Sequence, residues 1–252
     1  MNLCEAQDYD DLSRQAAALL SAWATETESP AIVLPTGNTP LGLFRELATK
    51  RFAKVLSRAR LIQLDEYHGI ARDDWRSLCG WLQRDLLAPL GISPETMLRF
   101  DPSAEDGDGE AARVESAVAS IGIDIAILGL GPNGHIGMNE PGSDFASTTR
   151  LVTLTPETIR SNAAYWGGED KVPHLGLTLG LGTLARARHT MLLVSGAQKA
   201  GILAAVFDGP ISRHIPATYL RTIRGAVVIA DRAALTFTRR HGGDSRHAHG
   251  RS

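Results

Sequence analysis

Four stretches of this 252-residue chain collect the residue types that proton transfer and anion binding require. The first is Pro35-Thr36-Gly37-Asn38-Thr39-Pro40. A glycine there lets backbone N–H groups approach an anion, a following helix would add its partial positive end, and Thr36 and Thr39 add hydroxyls. The same residues also suit an ordinary strand-to-helix turn with Thr39 as N-cap. They do not form a Walker loop, because the Gly-Lys-Ser/Thr ending is missing. The second stretch is Asp65-Glu66-Tyr67. A carboxylate at a buried strand end is costly unless paired or used, and a raised pKa there suits a base that takes a proton from carbon. The plainer alternative has Asp65 capping the next loop and Glu66 pointing to water.

The third stretch, Gly129 to Gly142, reads GLGPNGHIGMNEPG. Its opening matches the dinucleotide fingerprint G-x-G-x-x-G. Pro141 and Gly142, however, stop any helix within two turns, and no acid closes the next strand. A glycine-rich loop remains that presents Asn133, His135, Asn139 and Glu140 together. Histidine works as acid or base near neutral pH, and a nearby glutamate can orient it. The fourth stretch is Ser195-Gly196-Ala197-Gln198-Lys199. A lysine in a first helical turn opposes the macrodipole, which a shared anionic ligand would explain.

These stretches must be held by strands and helices, and the pattern supplies both. Nearly continuous apolar runs at Ala31-Pro35, Ala59-Asp65, Ile123-Gly131, Leu151-Thr155, Leu175-Gly180, Thr190-Ser195 and Ala226-Asp231 suit strands buried on both faces of a parallel sheet. Helical periodicity falls between them at Tyr9-Thr25, Thr39-Thr49, Trp75-Leu90, Glu110-Ser120, Pro156-Trp166 and Gly196-Phe207. The alternation predicts an α/β fold: one domain over 1–238 with a doubly wound, mostly parallel sheet flanked by helices. Each candidate stretch then follows a strand, where such sheets bind ligands.

Composition narrows the class. Apolar residues make up 43%, charged residues 21%, and the formal net charge is −2. These values exclude a largely disordered chain and argue against a dedicated nucleic-acid binder. No apolar run approaches the ~20 residues of a membrane span. The two cysteines, Cys4 and Cys79, and an acidic N-terminus fit a cytoplasmic protein without a disulfide framework. Residues 239–252, RRHGGDSRHAHGRS, read as a disordered tail. His247 and His249 within it make a poor metal site.

Taken together and in order, LPTGNTP at 34–40, LDEY at 64–67, the 129–142 loop, LTLGLGT at 177–183 and GAQK at 196–199 resemble the glucosamine-6-phosphate deaminase (isomerase) family. The resemblance spans about Ala31 to Asp231. Asn139-Glu140-Pro141 and Tyr67 separate it from the sister 6-phosphogluconolactonases. It implies a helical active-site lid, no cofactor and no metal. The implied reaction is conversion of a 2-amino-hexose 6-phosphate, glucosamine or its galactosamine epimer, to a ketose phosphate and ammonia. By this resemblance Asp65 moves the C2 proton toward C1. His135 assists ring opening with Glu140 tuning it, and Asn133 sits where some members carry aspartate. Thr36, Gly37, Asn38, Thr39 and Lys199 hold phosphate, with Glu66 among the substrate-contacting residues. The lid arginine of the family falls on Ala164, so Arg160, one turn earlier, is expected to replace it. Ser143 and Arg150 match an effector site whose lysine is Val152 here, which predicts an unregulated monomer or small homo-oligomer. A lactonase and a non-catalytic sugar-phosphate sensor are the alternatives.

Overall fold

The computed structural model describes residues 1–49 and 56–238. The tail expected over 239–252, with His247 and His249, lies outside the described residues. Strands β1 (Asn2–Ala6), β2 (Ala31–Leu34), β3 (Arg60–Gln63), β5 (Ile125–Gly129), β8 (His189–Val194) and β9 (Val227–Asp231) form one sheet in the order β1-β9-β8-β5-β2-β3. Every pairing in it is parallel. The apolar runs have a simple cause, because successive side chains enter two different cores. Ala31, Val33, Ala126, Leu128, Leu192 and Val194 face one layer. Ile32, Leu34, Ile125, Ile127, Met191 and Leu193 face the other.

Helices cover both faces. α1 (Tyr9–Ala24) and α2 (Leu41–Leu47) bury Leu12, Ala16, Leu20, Leu43, Phe44 and Leu47 on one side. α4 (Gly107–Ile121) and α7 (Ala200–Asp208) bury Val114, Val118, Leu203 and Val206 on the other. Between α2 and α4 lies the short α3 (Leu78–Leu82). Strand order reverses between β2 and β5: from β2 the chain builds outward to β3, and from β5 it builds the opposite way through β8. The loops leaving β2 and β5 therefore flank the crevice where such sheets take ligands.

One expectation needs correction. The runs at Leu151-Thr155 and Leu175-Gly180 are not strands of the parallel sheet. β4 (Asp65–His68), β6 (Arg150–Thr153) and β7 (Leu175–Thr178) form a separate three-stranded antiparallel sheet, ordered β4-β7-β6. The run Ala59-Asp65 divides at Leu64, the single residue between β3 and β4. Its N–H donates to the Leu34 carbonyl at 3.2 Å and its carbonyl accepts from Leu179 at 2.9 Å. Leu64 thus belongs to both sheets. A small third core of Tyr67, Met138, Leu154, Trp166 and Val172 packs under the antiparallel sheet.

The helix expected over Trp75-Leu90 is regular only in α3. It loosens into a π turn at Gln83–Leu87 and a tight turn at Ala88–Leu90, where Pro89 has no N–H to donate. α5 (Pro156–Trp166) has the expected bounds: Thr155 caps its start, accepting from Thr158 N–H at 3.3 Å, and Gly167 ends it in the left-handed region. α6 (Leu181–Leu184) completes the set. Among the described residues no helix is long and apolar enough to cross a membrane.

Candidate active site

Asp65, Thr36–Thr39, His135 and Lys199 line one cleft of about 440 Å³ at the reversal point of the sheet. That size suits a small-molecule ligand. Each side chain arrives on a different element.

Asp65 opens β4 and is only 7% exposed. Its Oδ1 is buried without a hydrogen-bond partner. Burial first, and the neighbouring Glu66 second, push its carboxyl up to about 7. The loop after β5 runs directly against it: a Cβ on Gly137, at φ +57, would lie 3.3 Å from Asp65 Oδ2 and 3.0 Å from Thr178 Oγ1. Asp65 is therefore a desolvated carboxyl near neutrality and not a loop cap.

Glu66 does not reach the cleft, nor does it point to water. It is fully buried, and its carboxylate accepts four hydrogen bonds: Gln63 Nε2 at 2.8 Å and the N–H groups of Tyr67, Leu78 and Cys79 at 2.9, 2.8 and 2.8 Å. Burial pushes its pKa upward while these four donors favour the charged form. Glu66 is a positioning residue that ties β3, β4 and the start of α3 together. Its expected substrate contact is withdrawn.

His135 sits 3.5 Å through Nδ1 from Glu140 Oε2, with Thr158 Oγ1 3.4 Å from the same nitrogen. The ring packs on Gly131, where a Cβ would come within 2.1 Å of it. Glu140 also accepts from Asn133 Nδ2 at 3.1 Å and Thr155 Oγ1 at 3.2 Å. Burial alone would raise Glu140, but the surrounding donors, His135 foremost, bring it down to about 2. Asn133 both holds Glu140 and accepts from the His135 N–H at 3.1 Å. An asparagine is thus the proper partner of a glutamate here, since an aspartate would set two negative charges together. Asn139 is fully buried and serves the backbone, donating to the Ile136 and Leu179 carbonyls at 2.9 and 2.8 Å.

Thr36, Gly37, Asn38 and Thr39 line the same cleft, with Gly37 at φ +98. The helix behind them is capped by Pro40, not Thr39, and makes no side-chain cap bond. Lys199 stands at the N-cap of α7, after a tight turn at Ala197–Lys199. Burial pushes its pKa down, and among the described residues it forms no ion pair. Asp231 fixes the preceding turn, accepting from Ser195 Oγ at 2.5 Å and Gly196 N–H at 3.1 Å.

Arg160 is exposed on α5 and is not among the cleft-lining residues; Ser161, Asn162, Tyr165 and Trp166 of that helix are. Its expected role is withdrawn for that reason. The guanidinium in the cleft belongs instead to Arg76, with Trp81 nearby, and sequence reasoning missed both. The available signal was Asp74-Trp75-Arg76, an acid two residues before an arginine in a polar loop. Ser143 and Arg150 bond each other at 2.9 Å, and Arg150 also donates to Asn139 and Ser147 at 2.8 and 3.1 Å. Among the described residues no three His, Cys, Asp or Glu groups gather into a metal site.

Fold and site define an α/β enzyme whose cleft lies where a parallel sheet reverses its order. The chain belongs to the family described as glucosamine-6-phosphate isomerases/6-phosphogluconolactonase, whose model matches residues 6–229. It is 34% identical over 239 residues to a glucosamine-6-phosphate deaminase of Geobacillus sp. (strain WCH70), covering 94% of this chain and 95% of that one. It is 39% identical over 230 residues to another from Corynebacterium kroppenstedtii, covering 90% and 88%. A solved structure of a monomeric glucosamine-6-phosphate deaminase superposes with a TM-score of 0.88 at 34% identity, over 94% of this chain and 99% of that one.

Proposed function

We propose that this chain converts a 2-amino-2-deoxyhexose 6-phosphate, glucosamine 6-phosphate or its galactosamine epimer, to the ketose 6-phosphate and ammonia. The observation that carries the reading is Asp65, raised to about 7 with an unpartnered oxygen, in one cleft with His135 and an uncompensated lysine. His135, oriented by Glu140, takes the C1 hydroxyl proton and passes one to the ring oxygen, so the pyranose opens to the aldehyde. Asp65 then takes the C2 proton while the substrate ammonium gives one to O1, leaving a neutral enolamine, and Asp65 returns its proton to C1, leaving an iminium at C2. Water adds to C2, the nitrogen leaves as ammonia, and the ketone remains. Thr36–Thr39 and Lys199 hold the phosphate away from the reacting carbons. C1 is reduced as C2 is oxidised within the substrate, so no external oxidant or reductant is needed and no cofactor is assigned. The chain is taken to act in the cytoplasm as a monomer or small homo-oligomer.

The test supplies glucosamine 6-phosphate, galactosamine 6-phosphate and 6-phosphogluconolactone separately, and follows ammonia and ketose 6-phosphate. Ammonia from at least one amino sugar, with equal ketose phosphate, is expected. Lactone hydrolysis without ammonia from either amino sugar overturns the reading.

A further inference from the structure

We propose that Arg76 is the second cation of the anion-binding end of the cleft and donates to the substrate phosphate beside Lys199. The inference rests on the reading above for the identity of the substrate, but the placement of the guanidinium is independent of it.

Arg76 is held as few surface arginines are. Its Nε and one terminal nitrogen donate in a fork to Asp74 at 3.0 and 2.7 Å, and its own N–H donates to Asp74 Oδ1 at 2.9 Å. The guanidinium carbon lies 4.4 Å from the Trp166 ring centre, so one face of the plane is covered by an aromatic ring. Fork and ring together fix the plane. A guanidinium has five N–H donors, and the fork uses one edge. The opposite edge makes no hydrogen bond among the described residues, while Arg76 lines the cleft. A pre-oriented fork with a free edge is the arrangement that receives a phosphate oxygen pair.

Its location agrees. Trp166, under the guanidinium, follows Tyr165 in α5, and the Tyr165 hydroxyl accepts from Asn38 of the 36–39 loop at 2.9 Å. Tyr165 also meets Trp81 edge-on at 5.1 Å between ring centres. The Arg76 guanidinium thus packs on the same end of α5 that touches the proposed phosphate loop. Charge balance points the same way. A phosphate monoester carries close to two negative charges at neutral pH, and Lys199 supplies one positive charge. Arg76 is the other permanently charged cation among the described residues lining the cleft. Asp74 offsets part of that charge and sets its direction, which makes Asp74 a positioning residue.

The test measures inorganic phosphate binding by titration calorimetry, and KM and kcat for glucosamine 6-phosphate, in the wild type, R76Q and R76K. R76Q is expected to weaken phosphate binding and raise KM by about 10- to 100-fold, with kcat changed far less. R76K keeps the charge and most of the stem, so it guards against a folding failure, and is expected to recover only part of the loss. Phosphate affinity and KM in R76Q within twofold of wild type overturn the proposal. A raised KM with unchanged phosphate affinity also overturns it, because the contact would then be to the sugar. Phosphate binding needs no turnover. Arg76-dependent binding in a chain that releases no ammonia would therefore retire the reaction and leave this site standing.

Discussion

Asp65 and Glu140 are both buried carboxylates close to the substrate cleft, and they sit at opposite extremes. Glu140 is surrounded by donors from Asn133, Thr155 and the His135 side, and is held down to about 2. Asp65 has an oxygen with no partner and is pushed up to about 7. Depth alone therefore does not decide the charge of a carboxylate. Donors and a facing imidazole outweigh burial at Glu140, whereas at Glu66 burial prevails over four donors. Glu140 remains charged throughout the neutral range and can hold a protonated imidazole. Asp65, raised to about 7, has the proton affinity that suits the carbon base proposed for it.

The strongest way to break this contrast is Asp65→Asn. Turnover is expected to fall by ~10³-fold or more while fructose 6-phosphate binding, by calorimetry, changes only a few-fold. The same variant tests the strain. With a folded value of about 7 against 3.8 for the free side chain, the folded state holds its proton longer than the unfolded one. Wild-type stability thus falls as pH rises from about 4 to about 7. Above that window Asp65→Asn is expected to be more stable by up to about 4 kcal/mol, and the advantage should vanish at pH 4. Equal urea midpoints at pH 8 would remove the claim that burial strains this acid.

Gly131→Ala attacks the other side. The added methyl would overlap the His135 ring, so the imidazole must leave its place beside Glu140. A loss of ~10- to 100-fold in kcat/KM with an intact fold by circular dichroism is expected. Wild-type kinetics would show that the ring position is not critical. The smallest effect is expected from Asn133→Asp, which removes one donor to Glu140 and sets a like charge beside it. Activity should drop several-fold, most at neutral and higher pH where the new acid is ionised. An increase would mean that His135 gains more from a second carboxylate than Glu140 loses.

The strands and most helices were legible because two-sided burial leaves a near-continuous apolar run. Strand direction was not legible: Leu151-Thr155 and Leu175-Gly180 have the composition of the parallel strands yet pair antiparallel. β1 was missed because Asn2–Ala6 is a mostly exposed edge with only Ala6 buried. Strand parity already held a clue for the acids. Asp65 and Glu66 are successive residues of one strand, so their side chains leave on opposite faces and only one can meet the substrate. Arg76 escaped notice because the loop that carries it lies between elements, and its importance comes from Trp166, which is ninety residues away in the chain.

The two halves of the proposed acid–base pair stand on different sheets: Asp65 begins the antiparallel one, and His135 follows the parallel one. Leu64 is the only residue between β3 and β4, bonded to Leu34 on one side and Leu179 on the other. In an engineer's terms it is a dowel through two plates. The clearance between base and acid is then a matter of tolerance at that one pin, and a substitution there would alter alignment without touching any reacting group.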